Sequence, residues 1–208
     1  LRLGLGALTG IDLPDEKSGI IPSHEWKLAT KGVVWTPGET VVASIGQGYV
    51  LTTPMQLAVM TARIANGKDA VVPSLLSTPN GARQNFAPLD ISESALSVIR
   101  RGMSAVLYGG AGTAKSHKLG EKYGGMAGKT GTVQVKRITL AQREKGITKN
   151  IDRPWAERDH ALFVAYAPLK NPRYAVSVVV EHGGSGSSTA APVARDILAK
   201  TIAERGLT

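Results

Sequence analysis

Residues 128–135 read Gly128-Lys129-Thr130-Gly131-Thr132-Val133-Gln134-Val135, a glycine-punctuated stretch that becomes β-like toward its end. A Lys-Thr-Gly triplet on a strand edge suits the capture of a substrate carboxylate. Lysine supplies a compact positive charge with three donors, threonine supplies a hydroxyl, and glycine lets a substrate backbone approach the strand closely. The stretch therefore predicts a strand, over about residues 126–135, that borders a binding cleft.

Two further strands are predicted downstream of this one, at residues 160–167 and 174–181. Asn171-Pro172 marks a tight turn between them, so these two strands are expected to pair as a hairpin. Between the first two strands lies a polar, basic insertion at about residues 136–159. It is interpreted either as a solvent-exposed loop or as a docking surface for a partner, with Trp155 as the expected anchor.

Three helices are predicted from capping residues and apolar spacing. The first begins after Thr53, with Pro54 at its first position, and ends at Asn66-Gly67. The second spans about residues 92–108 and the last about residues 189–204. Residues 1–52 show turn chemistry with little periodicity, and residues 68–91 are expected to be loop. The order predicts an α+β fold in which an antiparallel sheet is flanked by helices.

Composition excludes several classes of protein. The chain has 208 residues, 42% hydrophobic and 20% charged, and is expected to be one domain or a large part of one. It has no cysteine, so disulfides and thiolate chemistry are excluded, and its four histidines show no metal-ligand spacing; no metal or cofactor is expected. The net charge of +9 favours anionic partners, but with 5% aromatic residues and no recognised motif, nucleic acid is not expected.

A phosphate-binding loop is the first alternative for Gly128-Lys129-Thr130. That motif needs a glycine five residues before Gly128, where Tyr123 stands instead. It also needs a helix afterwards, whereas residues 131–135 are predicted as strand. The alternative is therefore rejected.

Several other segments occur in a characteristic order around the Lys-Thr-Gly triplet, which itself belongs to the signature set of penicillin-binding proteins and class A β-lactamases. They are Leu3-Gly4-Leu5-Gly6, Thr9-Gly10-Ile11-Asp12-Leu13-Pro14, Gly38-Glu39-Thr40, Ser44-Ile45-Gly46-Gln47-Gly48-Tyr49, Thr53-Pro54-Met55-Gln56-Leu57, Arg158-Asp159-His160, Ala165-Tyr166-Ala167-Pro168 and Glu181-His182-Gly183-Gly184. Each is weak alone, but together over residues 1–208 they resemble the C-terminal part of the transpeptidase domain of class B penicillin-binding proteins, in particular those of cell elongation.

The resemblance implies a fold and a chemistry. The fold is an incomplete penicillin-binding protein or serine β-lactamase-like transpeptidase fold, with the Lys-Thr-Gly strand lining the cleft. The chemistry is peptidoglycan D,D-transpeptidation: a serine attacks the penultimate D-Ala carbonyl of a stem peptide, D-Ala leaves, and a neighbouring amine resolves the acyl-enzyme. β-Lactams mimic the D-Ala-D-Ala end and stop at the acyl stage.

Roles follow for the residues of the triplet and its neighbour. Lys129 is expected to make the cleft positive and to help hold the terminal carboxylate, and the Thr130 and Thr132 hydroxyls are expected to hydrogen-bond that carboxylate. Gly131 completes the substrate-binding set. The backbone N–H of Thr132 is expected to be one of two oxyanion-hole donors, so Lys129 and Thr132 are the catalytic candidates.

Two family motifs are absent from the sequence. No serine has a lysine three residues later, and none has an asparagine two residues later. The chain is therefore expected to begin downstream of the nucleophile, and this polypeptide alone is expected to form no penicilloyl adduct. Ser185, Ser187 and Ser188 are not expected to substitute, because a glycine-rich loop positions a nucleophile poorly.

The resemblance also implies partners and a location. Stem peptides, β-lactam antibiotics, a membrane-bound glycan polymerase and elongation scaffold proteins are the expected partners. The expected location is the periplasmic face of the bacterial inner membrane, with an N-terminal transmembrane anchor outside this chain. Four alternatives within the same superfamily are not excluded. They are a septal transpeptidase, a D,D-carboxypeptidase, a β-lactamase and a non-catalytic β-lactam or peptidoglycan sensor.

Overall fold

A computed structural model describes residues 2–76, 85–136, 139–140, 144, 146 and 148–206. Two compact units divide the chain: one comprises Leu1–Arg63 with Lys68–Asp90, and the other comprises Ile64–Gly67 with Ile91–Thr208. That all 208 residues form part of one transpeptidase domain stays a prediction. No helix among the described residues is long and apolar enough to cross a membrane.

The first unit contains two short helices that the sequence did not predict. Helix α1 spans His24–Lys31, where the Ser23 side chain accepts from Trp26 N–H at the start and Gly32 adopts a left-handed conformation at the end. Helix α2 spans Pro37–Ser44 and begins with a capping box between Thr36 and Glu39. The prediction of turns over residues 1–52 was wrong here, because eight-residue helices are too short to show apolar periodicity.

Helix α3, Pro54–Asn66, confirms the first predicted helix. Thr53 and Gln56 form its reciprocal cap: Gln56 N–H donates to Thr53 Oγ1 at 3.1 Å and Thr53 N–H donates to Gln56 Oε1 at 3.0 Å. The Gln56 side chain is fully buried, and its amide nitrogen also donates to the carbonyls of Ala7 and Ser18 at 2.8 and 2.7 Å. One satisfied buried amide thus ties the N-terminal segment to the start of the helix.

The second unit carries the predicted sheet. Helix α4 spans Glu93–Tyr108 and is capped by Ser92. Strands β1 (Ala127–Val133), β2 (His160–Ala167) and β3 (Tyr174–Val180) follow in the antiparallel order β1-β2-β3, and helix α5 closes the unit at Ala191–Arg205. The α+β fold, the three strands and the β2–β3 hairpin are confirmed.

The core of this unit lies between the sheet and α5. Every second residue of β2 is fully buried on one face of the sheet, including Ala161, Phe163 and Ala165. Ala191, Ala194 and the larger Leu198 of α5 belong to the same buried cluster. Small side chains on both surfaces let helix and sheet approach closely around one large aromatic ring. The strand order places β1, with its triplet, at an edge of the described sheet.

Candidate active site

The Lys-Thr-Gly triplet lies on an edge strand whose residues become more exposed from its first residue to its last. In β1, Ala127 and Gly128 are buried, Thr130 and Gly131 are half-buried, and Lys129 and Thr132 are exposed. The register pairs Lys129 with Val164 and Thr130 with Phe163 of β2, so the two side chains lie on opposite faces of the sheet. Among the described strands β1 pairs only with β2, so its other side is where an extended peptide could add as a further strand.

Lys129 presents its charge without an acidic partner in the part of the chain that the structure describes. Its ammonium donates to the Thr130 carbonyl at 2.8 Å, and among the described residues no carboxylate forms an ion pair with it. A lysine ammonium has three donors, so this single bond to a neutral carbonyl leaves capacity for an incoming anion. The positive charge is therefore available at the edge of β1.

Thr130 contacts a residue that the sequence did not single out. Its hydroxyl lies 3.2 Å from the hydroxyl of Thr113, in the turn that follows α4. The neighbouring Ala114 is buried, and its N–H donates to the carbonyl of Val106 at 3.0 Å, which holds the turn against the end of the helix. Residues 113 and 130 are far apart along the chain, so no local pattern signals that they meet.

Gly131 is packed from behind by another glycine. A Cβ placed on Gly186 would lie 2.5 Å from the Gly131 carbonyl oxygen and would also overlap the carbonyl oxygen of Leu162. Gly186 opens the π-helical turn Gly186–Ala190, which leads directly into α5. The position of the triplet is thus coupled to the backbone that starts the last helix.

Two histidines and a tryptophan lie close together where β1 ends, at Val133, and β2 begins. The N–H of His182 donates to Nδ1 of His160 at 2.8 Å, and the ring of Trp155 lies 4.3 Å from that of His182, centroid to centroid. Trp155, the expected anchor of the basic insertion, thus contacts the protein's own turn while its side chain stays largely exposed.

A cavity of about 300 Å³ opens beside this cluster. It is lined by Asn150, Ile151, Arg158, His182, Gly183, Gly184, Ser185, Ser188 and Thr189. Ser185 caps the turn beside it: its Oγ accepts from the N–H of Ser188 and lies 3.0 Å from Ser187 Oγ. These contacts join Ser185 to groups of its own turn, and the expectation that this loop supplies no nucleophile stays a prediction.

The ionisable groups offer no metal site in the part of the chain that is described, where no three histidine or acidic side chains converge. Tyr166, opposite Ala127, is buried, and burial raises the pKa of its phenol above the ordinary value. Burial thus favours the neutral form of this phenol. What the described site can do chemically is bind an anion and donate hydrogen bonds.

Comparisons with known proteins agree with one another. The family model described as the penicillin binding protein transpeptidase domain matches residues 1–199. The peptidoglycan D,D-transpeptidase MrdA of Acinetobacter baumannii is 36% identical over 206 residues, which cover 92% of this chain and 29% of that protein. MrdA of Escherichia coli K12 is 35% identical over 193 residues, covering 89% of this chain and 30% of that protein.

Solved structures show the same likeness. The complex between penicillin-binding protein PBP2 and MreC from Helicobacter pylori matches with a TM-score of 0.82 at 32% identity, over 100% of this chain and 35% of that one. Pseudomonas aeruginosa PBP2 in complex with WCK 5153 matches with a TM-score of 0.76 at 38% identity, over 99% and 43%. The chain thus spans about a third of the length of the curated relatives it matches.

Proposed function

The chain belongs to the penicillin-binding protein transpeptidase family, of the PBP2/MrdA type, and from that premise we propose that it supplies one wall of a peptidoglycan D,D-transpeptidase active site. The observation that carries the proposal is the edge strand β1, on which Lys129 is exposed and ion-paired with no described acidic group. Relatives named D,D-transpeptidase that match nearly the whole chain support it.

The proposed roles of the site residues follow from their chemistry. The Lys129 ammonium attracts the C-terminal carboxylate of a D-Ala-D-Ala stem peptide, or the carboxylate of a β-lactam. The hydroxyls of Thr130 and Thr132, on the face of β1 opposite to Lys129, hydrogen-bond a carboxylate that lies at the edge of the strand, where groups from both faces reach it. Gly131 lets the peptide backbone lie close to the strand. The Lys129 side chain rotates away from the Thr130 carbonyl to meet the substrate, which its flexible four-carbon stem allows.

The acyl-transfer steps need a nucleophile from outside these 208 residues. A serine hydroxyl attacks the penultimate D-Ala carbonyl, the electrons collect on the carbonyl oxygen, and the Thr132 N–H donates to that oxyanion. The proton of the serine hydroxyl passes to the nitrogen of the terminal D-Ala, the C–N bond breaks, and D-Ala leaves an acyl-enzyme. The amine of a neighbouring stem peptide then attacks the ester carbonyl, its proton passes to the serine oxygen, and the C–O bond to the serine breaks.

Location and partners are proposed at the level of the whole protein. The site is proposed to work on the periplasmic side of the inner membrane, on a protein anchored there by a segment outside this chain. The Helicobacter pylori PBP2 was solved with MreC, and another similar structure was described as a peptidoglycan synthase complex that coordinates polymerization and crosslinking. These likenesses support a glycan polymerase and elongation scaffold proteins as partners.

The test uses the full-length protein and a fluorescent penicillin. Lys129→Met is expected to slow acylation by about tenfold to a hundredfold, which corresponds to ~1.5–3 kcal/mol for a hydrogen bond to a charged group. Lys129→Arg is expected to retain more activity because it keeps the charge. Lys200→Met, which removes a charge from the exposed surface of α5, is the matched control. If Lys129→Met is acylated at the same rate as the control, the proposal is wrong.

A second readout separates the remaining members of the superfamily. Incubation with stem peptides and an acceptor amine is expected to give crosslinked dimers. Release of D-Ala without crosslinks would identify a carboxypeptidase, and stable acylation without either product would identify a sensor.

A further inference from the structure

The second half of the basic insertion, residues 148–159, is folded, and we call it the clasp segment. It contains the 3₁₀ turns Asn150–Asp152 and Trp155–Glu157. Arg153 and Asp159 form an ion pair at 3.4 Å, with side chains only 12% and 13% exposed. Such internal contacts give these residues a defined structure, in contrast to a solvent-exposed loop without internal contacts.

Arg158 closes the clasp segment by holding two of its carbonyl groups. Its Nε donates to the carbonyl of Arg153 at 3.1 Å, and its Nη2 donates to the carbonyl of Ile151 at 2.9 Å. No ion pair joins Arg158 to an acidic side chain in the described part of the chain. The planar fork of a guanidinium can bridge two carbonyls in a fixed geometry, whereas a lysine ammonium cannot.

The clasp segment is fastened to the turn that follows β3. The His182 ring donates from Nδ1 to the Arg158 carbonyl at 3.0 Å, and the Gly184 N–H donates to the Asp159 carbonyl at 2.8 Å. His182 has φ of +54°, a left-handed conformation that residues with side chains adopt only when contacts hold it. Within the clasp segment, Asn150 Oδ1 accepts from the Asp159 N–H at 3.0 Å and so holds the residue whose carbonyl receives the Gly184 N–H. The turn over residues 182–184 therefore depends on the clasp segment for its shape.

The 182–184 turn is followed closely by the residue that contacts Gly131 of the triplet. Two residues after Gly184, the backbone of Gly186 rests on Gly131 with no room for a side chain between them. Thr189 Oγ1 donates to the Gly183 carbonyl at 2.8 Å and keeps the two ends of the loop together. A displaced turn would therefore move the backbone that supports Gly131 and its neighbour Thr132.

We propose that Arg158 is a positioning residue for the Lys-Thr-Gly strand. It folds the clasp segment onto the 182–184 turn, and the turn sets Gly186 against Gly131. This inference rests on the proposed function, because it concerns the placement of the Thr132 N–H that would stabilise the oxyanion. The clasp segment thus acts on the reaction through the backbone of Gly186 and Gly131.

The experiment compares Arg158→Ala, Arg158→Lys and Arg173→Ala in the full-length protein. Arg173 lies in the β2–β3 turn with an exposed side chain, so it controls for the loss of one cation. Arg158→Ala is expected to lower the saturating rate of acylation by a fluorescent penicillin about tenfold to a hundredfold, as small misplacements of catalytic groups do, with little change in the apparent dissociation constant. Arg158→Lys is expected to fall between the other two variants.

Hydrogen–deuterium exchange gives an independent readout of the same variants. Amides in residues 182–190 are expected to exchange faster in Arg158→Ala than in Arg173→Ala. If exchange is unchanged, or if it rises while the acylation rate does not fall, the inference is overturned. If the unsubstituted protein is not acylated at all, the proposed function fails, whereas exchange still decides whether Arg158 holds the turn.

A second variant guards against a folding defect. Asn150→Ala removes the acceptor of the Asp159 N–H but leaves the guanidinium in place. It is expected to change exchange and acylation in the same direction as Arg158→Ala, by a smaller factor. Normal acylation and exchange in this variant, together with an unfolded Arg158→Ala, would reduce Arg158 to a purely structural role and overturn the inference.

Discussion

At the scale of single residues, successive side chains of the edge strand β1 point to opposite faces of the sheet, which separates an ammonium group from a hydroxyl. Lys129 lies on one face of the sheet, and Thr130 lies on the other, next to Thr113. A hydroxyl that is already hydrogen-bonded has fewer rotor positions, so its lone pairs and proton are better aimed at a ligand. Thr113 is therefore the described residue best placed to orient the Thr130 hydroxyl.

Replacing Thr113 should weaken substrate capture without abolishing it. Thr113→Val removes the hydroxyl at constant shape and is expected to raise the apparent dissociation constant for a penicillin by about twofold to tenfold, the range of one neutral hydrogen bond. Titration of the full-length protein with a slowly acylating β-lactam measures this constant. Thr113→Ser keeps the hydroxyl and serves as the control. Equal affinities for the two variants would show that the contact does not orient Thr130.

At the scale of elements, α1 and α2 are joined by a nearly buried ion pair. Lys27 is 4% exposed, and its ammonium donates to the Val34 carbonyl at 2.6 Å and to Glu39 at 2.7 Å. The bond from Lys27, and then those from the Thr36 backbone and hydroxyl, lower the pKa of the Glu39 carboxyl below its ordinary value. The carboxylate therefore caps α2 and neutralises the lysine of α1 at the same time.

This arrangement makes the first unit sensitive to acid. Because the pKa of Glu39 is lower in the folded state, its contribution to the free energy of unfolding is present above the ordinary glutamate value of about 4.3 and is lost as the pH falls below it. Urea unfolding of this chain between pH 6 and pH 3, followed by tryptophan fluorescence, is expected to show the loss. Trp26 and Trp35 flank the pair and report on it.

Glu39→Gln is the variant that checks the cause. It is expected to be less stable than the unsubstituted chain at pH 6, because it leaves Lys27 unpaired, and to lose less stability on acidification. Asp15→Asn removes an exposed carboxylate from the same unit and is the control. An identical loss on acidification in all three chains would rule out Glu39 as the source.

At the scale of the whole molecule, the described surface exposes many large apolar side chains. In the first unit, Val34, Val41 and Ile45 are 72%, 67% and 73% exposed, and in the second unit Val98 is 59% exposed. Val41 lies within α2 and Ile45 at its end, four residues later and so on the same side of the helix, and exposed apolar side chains grouped in this way favour association.

The 208-residue chain on its own is therefore expected to self-associate. Size-exclusion chromatography with light scattering is expected to show species larger than 21.8 kDa, with binding of a hydrophobic dye. Val41→Glu combined with Ile45→Glu is expected to shift the chain toward monomer, and the exposed Val98→Glu serves as the control. A monodisperse monomer that unfolds in one sharp transition would contradict the expectation.

The sequence by itself determined the local elements and the family. Helices α3 and α4 and the three strands were predictable because their caps, apolar spacing and turn residues are local signals that agree with the tertiary structure. The triplet on β1 could be found for the same reason. Its proposed carboxylate-binding role came from residue chemistry and from the order of segments along the whole chain.

Tertiary structure alone decided the contacts that complete the site. Helices α1 and α2 are too short to show a period, and the Lys27–Glu39 pair that joins them appears only once both are folded. The meeting of Thr113 with Thr130, and of Gly186 with Gly131, joins residues that are 17 and 55 positions apart. Such contacts depend on the path of the backbone, and no periodicity in the sequence encodes that path at those distances.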